Sequence, residues 1–186
     1  MSDSIKERAH VLEEKFFAAQ EAKVLNQLRT DLLHSDDLKA LAAVAHINDR
    51  DALEELEAIG VTPSTFVAVK LIPMVAVAWA DDDLEDEEIE AIQKAAAEFG
   101  IVKDSPSGQL LHQWLRDPLS QDVIDAWALF VSAYCRNLDK TKIADFEKET
   151  IDSAIEVAEA AGGFLGLGAV SRIEEQMIER LRNAFR

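Results

Sequence analysis

Eight of the ten residues from Asp81 to Glu90 are acidic, with no base among them. Hard cations such as Ca²⁺, Mg²⁺ and Mn²⁺ favour clustered carboxylate oxygens, so this block is where a divalent ion would bind. Asp81 and Asp83 stand two apart in what reads as a loop, and Glu88 rises one turn into the next helix. The spacing is not that of an EF-hand. Its sixth position is Asp86 where that loop requires glycine, and its twelfth is Ile92 where it requires Glu. The same acids also have a purely structural reading, because a helix N-terminus favours carboxylates through its free N–H groups and its dipole. Both readings stay open.

No other residues assemble a catalytic constellation, and the chain is not expected to be an enzyme. His10, His34, His46 and His112 show no metal-ligand spacing with another His or Cys. Cys135, the single cysteine, has no activating neighbour in sequence and reads as a buried thiol. Ser35, Ser105, Ser120 and Ser171 read as caps or turn residues, and no nucleophile elbow is present. Gly166-Leu167-Gly168 superficially suggests a dinucleotide loop, yet it follows a helix and lacks the third glycine. Trp79, Trp114 and Trp127 sit on apolar faces and read as core anchors.

The elements that must position the acidic block are helical. Ala, Leu, Glu, Lys and Gln dominate, and no segment alternates with period two. Leu12, Phe16, Ala19, Val24, Leu28 and Leu32 trace a first long helical segment, and a second helix is expected from Asp36. A third, Asp51–Ile59, should stop at Gly60. Thr62-Pro63 signals the start of a helix that is apolar nearly all round to Ala80, with a kink at Pro73. Further helices are expected from Glu85 to Gly100, after Ser105-Pro106, over Val123–Leu138, over Lys142–Ala161 and over Ser171–Phe185. Gly162–Gly168 separates the last two and suggests close helix approach or an interaction surface.

Two stretches share one plan. Leu84, Glu88, Ile92 and Phe99 match Val170, Glu174, Ile178 and Phe185 at a constant offset of 86, and before the loops the offset is 82. Two helical hairpins about a pseudo-twofold axis are the expected result. Glu174 would approach the acidic block if they pack face to face, and Ser171 with Glu174 forms an S-x-x-E capping box.

The run Val75-Ala76-Val77-Ala78-Trp79-Ala80-Asp81-Asp82-Asp83-Leu84, with Glu88 four residues on, resembles the signature of TerB-like tellurite-resistance proteins. The tail from Val157 through Val170-Ser171 and Glu174 resembles its second copy, so the likeness spans roughly residues 66–185. It implies an all-helical fold, divalent metal at the acidic loops and a role in tellurite or other stress responses without an established reaction. Asp82 stands where the family has glycine, and Gly162-Gly163 where an aspartate is usual.

The formal charge of -17 argues against binding to nucleic acid and to anionic membranes, both of which would repel the chain. Residues 81–90 contribute about half of it. No apolar stretch is long enough to cross a bilayer, and the N-terminus has no apolar h-region, so a cytoplasmic protein is expected. The expected fold is an all-α bundle of about eight helices, with an N-terminal helical arm over residues 1–60 packed on a TerB-like domain over 61–186, the alternative being one single compact domain. The expected function is non-catalytic, with a divalent cation held by Asp81, Asp83, Glu88 and Glu174. The alternative is a metal-free helical adaptor for a protein partner, or a homo-oligomer. Without the resemblance, the acidic block alone would favour the structural reading.

Overall fold

The chain runs from helix to helix, and its centre is the stretch that has no polar face. The computed structural model describes residues 34–161 and 170–186. Most of the expected N-terminal arm and the Gly162–Gly168 loop lie outside the described residues. The chain divides into two compact units, Met1–Lys39 and Ala40–Arg186.

Residues 34–45 are helical (α1). There follow α2 (Arg50–Ala58), a 3-10 turn (Phe66–Leu71), α3 (Ile72–Ala78), α4 (Asp86–Glu98), α5 (Pro106–Arg116), α6 (Gln121–Cys135), α7 (Lys140–Ala161) and α8 (Arg172–Asn183). The described residues form an all-α bundle without a strand.

Local chemistry sets most boundaries. Asp49 Oδ1 accepts the Ala52 N–H at 3.1 Å to start α2, and Ser105 Oγ accepts the Gly108 N–H at 3.1 Å to start α5. Gly60 and Gly100 close α2 and α4 at φ of 85° and 75°, a conformation open to glycine. The segment expected to enter helix at Pro63 does so later. Thr65 Oγ1 accepts the Thr62 N–H at 2.7 Å and closes a turn, so regular structure begins at Phe66. The kink expected at Pro73 is a change of helix type. The 3-10 turn hands over to α3 at Ile72, which leaves Pro73 in the first turn, where no N–H is needed. Helix α1 already includes residues 34 and 35, so Ser35 sits inside it and does not cap it.

All seven residues of α3 are buried, as an all-apolar helix requires. It lies along α7; α4 packs on α7, and α8 packs on α3. Each hairpin thus sets its second helix on the first helix of the other, as a pseudo-twofold arrangement demands. The echo holds in the core. Val69, Ile72, Val75 and Ala76 are buried, as are Ile151, Ala154, Val157 and Ala158, 82 residues on. After the loops, Ile92 and Ile178 are buried at the offset of 86. Helix α2 buries Ala52, Leu53 and Leu56 and packs on α6, so residues 40–60 belong to the larger unit.

Helix α5 is held close to its own loop. Ser107 Oγ donates to the Ser64 carbonyl at 3.1 Å, and a Cβ on Gly108 would lie 2.2 Å from the Val102 carbonyl oxygen. Backbone cannot yield cheaply there. Gly108→Ala is expected to cost about 2–3 kcal/mol and lower the melting temperature by roughly 5–10 °C. Thermal unfolding followed by circular dichroism checks this, and an unchanged midpoint would contradict the close approach.

Candidate functional site

The acidic block begins where α3 can no longer be covered. The Trp79 indole Nε1 donates to the Trp114 carbonyl at 2.9 Å, anchoring the end of α3 to that of α5. The Asp82 N–H donates to the Trp79 carbonyl at 3.1 Å, and Asp82 takes a left-handed φ of 65°. This is the position where the TerB-like pattern has glycine, and the backbone has the conformation that glycine would favour. Aspartate tolerates it better than most residues do, since its short polar side chain fits the left-handed region. Asp81 Oδ1 accepts the Asp83 N–H at 3.2 Å, and Asp81, Asp82 and Asp83 all face solvent.

Glu88 is different. It is 3 % exposed and is the only buried carboxylate among the described residues. Its Oε2 accepts the Glu85 N–H at 3.0 Å, the return arm of a capping box at the start of α4. Burial pushes its carboxyl up to about 7. The hydrogen bond from the Glu85 N–H opposes that rise, while the charges of Glu174, Glu85 and Asp81 add to it.

Glu174 occupies the matching place in the second copy. Its Oε2 accepts the Ser171 N–H at 2.5 Å, and its own N–H donates to Ser171 Oγ at 3.2 Å. The capping box read from S-x-x-E is therefore present. The structure brings Glu174, Glu88 and Asp81 into one electrostatic field, together with Glu85, which the sequence reading did not single out. The signal was there: the offset of 86 sets Glu85 opposite the N-cap Ser171. Asp83 does not figure in the field on Glu88.

Among the described residues, no group of three or more His, Cys, Asp and Glu is assembled to hold a metal ion. The carboxylates share a field without sharing a coordination sphere, so a cation here would draw in the exposed side chains of the loop. Elsewhere the residues keep structural roles. Cys135 is a free, buried thiol, pushed up by burial and by the charge of Glu147. Trp114 and Trp127 are buried core anchors. No helix among the described residues is long and apolar enough to cross a membrane.

Two outcomes follow. Because the folded state raises the Glu88 carboxyl from 4.5 to about 7, it favours the protonated form; that stability is full below pH 4.5 and lost as pH rises through 7. Glu88→Gln keeps an acceptor and cannot ionise. It should match wild type near pH 5 and exceed it by roughly 2 kcal/mol at pH 8, read as the difference between two melting curves. Asp82→Gly should raise stability by roughly 0.5–1 kcal/mol at neutral pH, since it relieves the left-handed backbone and removes one like charge. A drop in the midpoint would contradict that assignment.

Comparison with protein-family models, with curated proteins and with solved structures finds no match to this chain.

Proposed function

We propose that this is a non-catalytic helical protein whose two echoed helix starts form one acidic junction that takes up a divalent cation. The observation that carries the reading is the buried Glu88 carboxyl, held near neutrality by desolvation and by Glu174, Glu85 and Asp81. A divalent ion placed among these groups offsets their mutual repulsion and replaces the proton on Glu88. Asp81 and Asp83 are exposed on the loop and can turn toward it, Asp81 by releasing the Asp83 N–H. The ions that suit this oxygen set are Ca²⁺, Mg²⁺ and Mn²⁺. The resemblance of residues 66–185 to TerB-like proteins supplies the biological setting, a tellurite or other stress response.

Cation uptake at this site has a proton signature. The ion competes with the proton on Glu88, so apparent affinity should rise from pH 6 to pH 8, and protons should be released on binding. Calorimetric titration at constant ionic strength, in two buffers of different ionisation heat, reads both effects. The expected result is saturable binding that weakens about tenfold or more in an Asp81→Asn, Glu88→Gln double variant. An identical response of wild type and variant, or none in either, would overturn the cation reading and leave the metal-free adaptor in its place.

A further inference from the structure

Away from the acidic junction, a cleft of about 800 Å³ lies between α6, α7 and the 3-10 turn that leads into α3. That volume falls within the range of small-molecule sites, which bury most of a ligand against apolar and aromatic groups. One wall is a continuous run of rings. Phe66 meets Phe130 at 5.5 Å, Phe130 meets Tyr134 at 5.9 Å, and Tyr134 meets Phe146 at 5.5 Å between centroids. Along α7 the cleft extends from Lys142 to Ser153, about 16 Å at 1.5 Å per residue. An extended chain of about a dozen carbons spans that length.

The polar groups of the cleft are unevenly placed. Lys70 Nζ lies 5.0 Å from the centre of the Phe99 ring, which steadies the ammonium, and it forms no ion pair among the described residues. The Tyr134 hydroxyl makes no hydrogen bond among the described residues. Lys142, also lining the cleft, is already paired with Asp139 at 3.4 Å. Asp145 and Glu149 line the α7 side and are exposed to water. The cleft is thus cationic at the 3-10 turn and anionic at α7.

The geometry points to a site for a long-chain aliphatic carboxylate, with its head at Lys70 and its chain along the aromatic wall. This polarity fixes the orientation, because the acids of α7 repel a head group placed beside them. Tyr134, which also lines the cleft, adds a hydroxyl donor to its aromatic wall. The inference is independent of the acidic junction.

The test is calorimetric titration of the full chain with dodecanoate, its methyl ester and dodecylamine, each below its micelle concentration, alongside sedimentation velocity. Saturable one-to-one binding of dodecanoate, weaker binding of the ester and weaker binding still of the amine are expected. Lys70→Met should weaken dodecanoate binding about tenfold, the loss of one charge-assisted contact, and abolish the preference over the ester while shifting the melting midpoint by no more than about 4 °C, the loss of the Phe99 contact. Tyr134→Phe gives a second, shape-preserving variant and should weaken binding by a smaller factor. Equal binding of acid and ester, a preference for the amine, or an unchanged affinity in Lys70→Met would overturn the proposal. So would binding that only shifts a dimer equilibrium, which would assign the cleft to a second copy of the chain.

Discussion

Helix α3 has no face that water can touch, and the rest of the larger unit is arranged to satisfy that. Ile72, Met74, Val75 and Val77 are each 3 % exposed or less, and burying side chains of this size contributes roughly 1.5–3 kcal/mol apiece. A seven-residue helix is too short to hold itself together in water, so its neighbours supply its stability. The pseudo-twofold meets this need. It lays α7 along α3 and packs α8 on the same helix. The helix that must be surrounded is therefore also the helix about which the two hairpins are organised.

That packing has an electrostatic consequence. If the first helices of two hairpins lie together and each second helix crosses to the other hairpin, the starts of α4 and α8 come near one another. Both starts are capped by a glutamate at the third helical position, Glu88 and Glu174. One such acid costs little at a solvated cap. Two in one field, with Glu88 desolvated, cannot both be charged cheaply, and the Glu85 N–H recovers only part of the penalty. The junction is therefore a place where a proton is held for reasons set by the core.

Much of this was legible because it rests on local chemistry. Gly60, Gly100 and Ser105-Pro106 punctuate the chain with signals that need no tertiary partner, and the helices follow them. The echo at offsets of 82 and 86 was legible because it is arithmetic on the sequence. What sequence missed depends on neighbours. The choice of 3-10 geometry over Phe66–Leu71 follows from the Thr62–Thr65 turn and the position of Pro73, where local propensity alone suggested one long helix. Glu85 was passed over because its signal lies in the echo that pairs it with Ser171, not in its own residue type among so many acids. The aromatic cleft joins rings from three separate elements, so no window of sequence contains it. At Asp82 the residue type permits a left-handed backbone without requiring it, and the loop imposes it.

The central claim is that the two helix starts act as one charged unit. Carbon-detected NMR titration of the Glu88 carboxyl, in wild type and in Glu174→Gln, measures this directly. The account predicts a midpoint near 7 in wild type that moves down in the variant, though not to the ordinary 4.5, since burial persists. A wild-type midpoint at the ordinary value, or one that Glu174→Gln does not move, would contradict it.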